Sequence, residues 1–270
     1  SQDDDLEAAG NKAVKERALE TLEKNRRELY AAQELLWANN TYSVLIILQG
    51  MDTSGKDGTI KHVMSGVNPQ GCRVTSFKAP SEEELDHDFL WRYWRHLPAR
   101  GEIAVFNRSY YEEVLVVKIH PDLLERQRIP GERPGKKFWK ARYEDINAYE
   151  HHLTQNGTLI LKFYLHISKD EQKERLLDRL KNDEKLWKYA ISDQKERQYW
   201  DDYIKAYEDM LYATSTNWAP WYVIPGDHKW VARTLVAEII STTIRSLDLR
   251  YPKVTEEQRA ALIEARKELE

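Results

Sequence analysis

Gly50-Met-Asp-Thr-Ser-Gly55-Lys56 follows directly on an apolar run, residues 44–48. Glycines at the two ends of such a loop let backbone N–H groups converge on phosphate oxygens, and the lysine reaches the outer phosphates. A helix beginning near Asp57 would aim its N-terminus at the same anion. The spacing therefore points to a ligand carrying several phosphates, with Gly50, Thr53, Ser54, Gly55, Asp57 and Gly58 as the phosphate-facing set. The match to the usual phosphate loop is incomplete. The hydroxyl that normally holds a metal ion is replaced by Asp57, with Gly58-Thr59 behind it, so Asp52 inside the loop is the carboxylate available to a metal. A tight strand–helix turn with a surface lysine is the competing reading; the apolar run ahead and the second glycine weigh against it.

Two further groups carry the same chemistry. A second apolar run, 103–106, ends in Asn107-Arg108-Ser-Tyr-Tyr-Glu112-Glu113. A strand-end carboxylate typically completes the metal shell in phosphate-loop enzymes. Here Asn107 holds that place, and Arg108 is suited to grip phosphate bidentately. Ser168-Lys-Asp-Glu171 is a capping box opening a helix that presents Arg175 and Arg179 one turn apart. Such a pair fits a lid closing on transferring phosphates; it also fits a solvated face partnered by Glu174 and Asp178. Lys78 directly follows the 73–77 run and shares its strand edge, whereas Lys61 reads equally as ligand contact or surface lysine. Asn107, Glu112, Glu113 and Val117 are candidates for nucleotide contact. His151, His152 and His166 have no motif around them and read as structural.

The elements that must place these residues alternate. Apolar runs at 44–48, 73–77, 103–106, 158–165 and 221–224 are separated by helical stretches at 58–67, 81–96, 137–153, 169–181, 193–213 and 228–247. Alternation of this kind predicts a parallel five-stranded sheet with helices on both faces, an α/β fold, with ligands at the carboxyl ends of the strands. Trp139, Tyr143, Ile146, Tyr149 and Leu153 form one helical face. Leu19, Leu22, Leu29, Ala32 and Leu36 recur at helical spacing in a charged N-terminal helix expected to pack on the domain or on a neighbouring subunit. Pro130-Gly-Glu-Arg-Pro134-Gly135 reads as a surface turn.

The net charge of −4 excludes a whole-surface basic field, so an anion site must be a local concentration of lysine and arginine, and broad nucleic-acid binding is not expected. No apolar run approaches the roughly 20 residues of a membrane helix. The N-terminus lacks a signal-peptide layout, and the single cysteine, Cys72, suits a reducing cytoplasm. No Cys/His cluster has zinc spacing. Nine Trp and 15 Tyr against five Phe place many aromatics at core margins, clefts or subunit contacts, which favours self-association.

Taken in order, these residues resemble the type-2 polyphosphate kinases, and within them the subgroup that phosphorylates both AMP and ADP. The specific words are Gly50-Met-Asp-Thr-Ser-Gly-Lys-Asp-Gly58, Lys61-His-Val-Met-Ser-Gly-Val-Asn-Pro-Gln-Gly71, Ser76-Phe-Lys-Ala-Pro80, His87-Asp-Phe-Leu-Trp-Arg92, Val105-Phe-Asn-Arg-Ser109 and Trp218-Ala-Pro-Trp-Tyr222. The resemblance implies a three-layer α/β/α fold of the phosphate-loop (P-loop) kinases: a helical extension at 1–40, a kinase domain at 41–255 with a lid at about 169–195, and a helical tail at 256–270. It implies Mg²⁺-dependent transfer, with Mn²⁺ as a substitute, of a terminal phosphoryl from inorganic polyphosphate to AMP or ADP, in a homodimer or homotetramer. The family's catalytic residues fall on Asp52, which is also the metal ligand, Lys56, Arg108, Arg175 and Arg179; its polymer-holding basic residues fall on Lys61 and Lys78. Many members read Asp-Arg-Ser-Trp-Tyr-Asn-Arg where this chain reads Asn107-Arg-Ser-Tyr-Tyr-Glu-Glu113, which resembles the dual-acceptor subgroup. An ATP-dependent nucleoside monophosphate kinase of the thymidylate-kinase type shares the fold and is the alternative. A non-catalytic nucleotide or polyphosphate sensor is a second.

Overall fold

The computed structural model describes residues 2–131 and 135–270. The strands are β1 (Ser43–Gln49), β2 (Cys72–Ser76), β3 (Ile103–Asn107), β4 (Thr158–His166) and β5 (Trp221–Pro225). They form one sheet in the order β2-β3-β1-β4-β5, and every pairing is parallel. The central strand β1 is buried along its whole length, as a continuous apolar run in a sheet covered on both faces should be.

The helices are α1 (Gln2–Asn39), α2 (Lys56–Val63), α3 (Glu82–Leu85), α4 (Trp91–Trp94), α5 (Val116–Ile119), α6 (Pro121–Glu125), α7 (Lys136–Gln155), α8 (Lys169–Lys181), α9 (Ile191–Glu196), α10 (Trp200–Thr214), α11 (Lys229–Arg245) and α12 (Glu256–Leu269). Side chains alternate across the sheet and build two cores. Leu45 and Ile47 meet Ile146, Tyr149 and Leu153 of α7 and Tyr203, Tyr207 and Met210 of α10. Val44, Ile46 and Leu48 meet α2, α11 and a stripe of α1 made by Leu22, Leu29, Ala32 and Leu36. The result is the expected three-layer α/β/α sandwich. Leu19 is the exception on α1: it is exposed, and lies outside the buried stripe. Among the described residues, no helix is long and apolar enough to cross a membrane.

Three predicted helices need correction. The stretch 58–67 is α2, which begins at Lys56 and ends at Val63. The stretch 81–96 is not one helix but α3 and α4. The Ser81–Glu84 capping box starts α3, but Asp88 Oδ1 accepts the Leu90 N–H (2.9 Å), a local turn that competes with the helical ladder. The stretch 193–213 begins earlier, at Ile191, and is split by a 3-10 turn at Arg197–Tyr199. Arg197 Nη1 donates to the Lys169 carbonyl (3.0 Å) and to Gln172 Oε1 (2.8 Å), pinning the turn to α8. The strand expected at 73–77 runs from Cys72 to Ser76. Of the Pro130–Gly135 turn, residues 132–134 lie outside the described residues.

Register brings the chemistry together. Leu48 of β1 faces Asn107 of β3, and Ser76 of β2 faces the same Asn107. The loop after β1, Arg108 after β3 and Lys78 after β2 therefore leave the sheet along one edge, where open parallel sheets bind their ligands.

Candidate active site

Past Gln49 the chain turns through Gly50 (φ +156°), where a Cβ would lie 2.7 Å from the Leu165 carbonyl oxygen and 2.6 Å from Ser54 Oγ. No side chain fits there. Gly55 (φ +97°) caps α2 in the left-handed region, which costs glycine little. Between them Thr53 also has positive φ (65°). That conformation is uncommon for a β-branched residue and stores about 1–3 kcal/mol of strain. The loop is held from α8: Gln172 Nε2 donates to the Asp52 carbonyl (3.1 Å) and Arg175 Nη1 to the Thr53 carbonyl (2.9 Å).

Lys56 is buried, and its ammonium donates to the carbonyls of Gly50 (2.7 Å) and Met51 (3.2 Å). Burial first, then the neighbouring Arg108 charge, pull its pKa down to about 8, against the opposing pull of Asp52, Glu112 and Asp57. Arg108 sits just past β3 with φ +65°. Its guanidinium bridges Glu112 (3.2 Å) and Asp52 (2.7 Å). Those two carboxylates, Glu112 foremost, outweigh its burial and raise its pKa further. Asn107 Nδ2 donates to Asp57 Oδ1 (2.6 Å) and to Ser76 Oγ (3.3 Å). Asn107 Oδ1 and Thr53 Oγ1 are buried without a hydrogen-bond partner among the described residues.

These groups open into a cleft of about 480 Å³ lined by seven cationic side chains and three carboxylates. Within a protein of net charge −4 this cleft is a local concentration of positive charge. Of the residues singled out from sequence, Asp52, Thr53, Ser54, Gly55, Lys56, Asp57, Gly58, Lys78, Asn107, Arg108, Arg175 and Arg179 line it. Gly50 and Glu112 line a small cavity behind the loop, with Tyr203 and Tyr207. Lys61 is exposed on α2 and lines neither space. Val117 is buried in α5 and lines neither; its neighbour Val116 reaches the small cavity. Glu113 is buried and accepts from Gln127 Nε2 (2.7 Å), and its burial raises its pKa. Gln127 in turn accepts from Arg142 (3.0 Å), at the edge of a second cavity of about 710 Å³ that also holds Phe89 and Phe138.

Arg175 lines the cleft in a braced form. Nε donates to Glu171 (2.5 Å), Nη1 to Thr53, and Nη2 to the carbonyls of Gly226 (2.6 Å) and Asp227 (3.0 Å). It ties together the phosphate loop, α8 and the turn after β5. Sequence reading missed Gln172, Lys185 and Lys229. Lys229 had a signal: it follows the end of β5 as Lys78 follows β2, and all strand ends share one edge. Lys185 lies in a 3-10 turn after α8 and carries no comparable local pattern.

A parallel sheet of this order, a glycine loop between β1 and α2, and an arginine at the end of the adjacent strand define a P-loop kinase. Its family is identifiable as well: the profile of the polyphosphate kinase 2 (PPK2) family matches residues 12–252, and the chain belongs to that family. It is 52% identical over 256 residues to an ADP-polyphosphate phosphotransferase of Rhodopseudomonas palustris, covering 94% of this chain and 89% of that one. It is 46% identical over 239 residues to an AMP/ADP-polyphosphate phosphotransferase of Meiothermus ruber, covering 88% and 85%. The crystal structure of polyphosphate kinase 2 from Arthrobacter aurescens superposes with a TM-score of 0.84 at 40% identity, over 93% of this chain and 87% of that chain.

Proposed function

We propose that this protein transfers the terminal phosphoryl group of inorganic polyphosphate to ADP and AMP. The observation that carries the proposal is the cation-lined cleft around Lys56 and Arg108 in a chain of this family. The names of its relatives support the donor, and the acceptors they name are ADP in one case and AMP or ADP in another. Glu113, an acid where many members have a basic residue, supports the dual acceptor.

The attacking atom is a terminal phosphate oxygen of the nucleotide, already anionic at neutral pH, so the site needs no strong base. The P–O bond to the rest of the polymer breaks as the new one forms, and the shortened polymer leaves as an anion. Lys56, Arg108 and Arg179 all line the cleft, which supports Lys56 and Arg108 as the groups that neutralise the transferring phosphoryl and Arg179 as a lid contact; positioning and charge neutralisation supply the catalysis. Asn107, Glu112 and Glu113 are our candidates for the acceptor side; Glu113 accepts from Gln127, which edges the second cavity. Val117 would act there only by packing, and Lys61 only on polymer passing over the outside of α2.

The donor set suits a divalent cation of the Mg²⁺ type. It consists of oxygens: the carboxylates of Asp52 and Asp57 and the unpartnered Oδ1 of Asn107. Among the described residues no group of three or more His, Cys, Asp or Glu forms a complete cage. Mg²⁺ keeps waters and binds through substrate phosphates plus one or two carboxylates, which Asp52 and Asp57 beside the phosphate loop would supply. Bound there, Mg²⁺ or Mn²⁺ would screen phosphate charge in the transition state. Leu19, Tyr30 and Trp37 form an exposed stripe along α1 that supports self-association as a dimer or tetramer, and nucleotide acceptors suit a cytoplasmic setting. The experiment is to incubate the protein with Mg²⁺ and either ADP or AMP, with long-chain polyphosphate or ATP as donor, and resolve the nucleotides by chromatography. Product formed from polyphosphate supports the proposal; product formed only from ATP supports the thymidylate-kinase type instead.

A further inference from the structure

The positive lining does not stop at the rim of the cleft. Lys229 opens α11 at the end of β5 and lines the cleft. Arg233 follows one turn on, so the two side chains share a face. The Arg233 guanidinium lies against the first turn of α2: a Cβ on Gly58 would sit 3.3 Å from its Nη2. Three of the other cations around the loop are held in ion pairs. Arg108 is bound by Asp52 and Glu112, Arg175 by Glu171, and Lys185 by Asp178. Among the described residues, neither Lys229 nor Arg233 makes a hydrogen bond or ion pair. Arg233 is partly buried nonetheless, and for both groups burial and the nearby Arg175 charge disfavour protonation. Glu171 and Asp178 act on Lys229 from a distance and oppose this, but two cations held close to a third without a direct ion pair are an arrangement that a polyanion would relieve.

We propose that Lys229 and Arg233 form a distal anion subsite that holds internal phosphates of the donor polymer, away from its reacting end. The inference rests on the polyphosphate reading above and adds that affinity for the donor grows with chain length through these two residues. A triphosphate is fully used by the loop, Lys56 and Arg108, whereas a long chain continues past the rim onto α11.

The test is steady-state kinetics with ADP and either triphosphate or long-chain polyphosphate, for the wild type and for Arg233→Ala, Arg233→Gln and Arg233→Lys, with thermal melts of each. The glutamine variant keeps most of the side-chain volume in case alanine fails to fold. The expected result is a rise in KM for the long polymer of about tenfold in the neutral variants, as for loss of one charge-assisted contact. The same variants keep kcat, change the triphosphate reaction less than about twofold, and are largely rescued by lysine. An equal loss with both donors, or an unchanged KM for the long polymer, overturns the subsite. A wild type that transfers nothing from either polyphosphate overturns the functional reading, and the subsite with it.

Discussion

At the residue scale, the proposed role of Lys56 in holding phosphate depends on its charge state. With its pKa near 8 in the free protein, the ammonium is present below that pH and lost above it. Because only the charged form holds phosphate, kcat/KM for polyphosphate should fall as pH rises through about 8, and saturating polymer should move the break to higher pH. A pH–rate profile with no break near 8, reproduced by Lys56→Arg, would contradict this. The stability effect has the opposite sign. The folded pKa lies below the ordinary 10.5, so between about pH 8 and 10.5 the unfolded chain binds the proton and the native state does not. Stability from this group then rises with pH, by of order 3 kcal/mol across the window, and urea midpoints of wild type and Lys56→Met at the two pH values measure it. Lys56→Ala should lower kcat by about 10²–10³, the cost of removing one positioned charge-stabilising group. Arg175 shows what sequence conceals at this scale. Its spacing with Arg179 was legible as a basic pair on a helix, but its contacts with the carbonyls of Thr53, Gly226 and Asp227 come from segments far apart in sequence.

At the element scale, a buried polar network fixes what lies behind Arg108. Lys162 of β4 is fully buried and donates to Glu150 of α7 (2.6 Å), the Tyr111 hydroxyl (2.9 Å) and the Thr214 carbonyl at the end of α10 (2.8 Å). Tyr110 and Tyr111 both donate to Glu150 (2.8 and 2.7 Å). These tyrosines begin the 3-10 turn Tyr110–Val114 that carries Glu112 and Glu113. Lys162→Met leaves Glu150 buried without its cation and should cost about 3–5 kcal/mol, read as a loss of urea midpoint; a loss below 1 kcal/mol would show that the pair is not a structural node. The strands were legible because each is a short apolar run between helical stretches, and α7 because its apolar residues keep one period. The 81–96 stretch misled because the Asp88 turn interrupts a pattern whose hydrophobic spacing alone reads as continuous. Lys162 was hidden for a different reason: a lysine in an apolar strand betrays no partner until α7 and the 3-10 turn are packed over it.

At the scale of the whole molecule, a net negative protein gathers seven cationic side chains around one cleft at the strand edge. That edge was legible from the alternation of strands and helices and from loop chemistry, as were the phosphate loop, Asn107-Arg108 and Lys78. Lys185, and Arg233 resting on Gly58, were not, because each reaches the site from an element whose position is set by packing. A polymer held by such charges should bind less tightly as salt rises, so KM for long-chain polyphosphate should increase several-fold between low and physiological ionic strength while the melting temperature barely changes. A flat response would remove the cationic track from the account. The most direct measurement of the central claim offers both donors at once: polyphosphate labelled with ³²P, unlabelled ATP, Mg²⁺ and AMP, with the nucleotides separated over time. The account predicts that label appears first in the β-phosphate of ADP, while the supplied ATP makes no significant contribution as donor. ADP formed without label, at the expense of the supplied ATP, would contradict it.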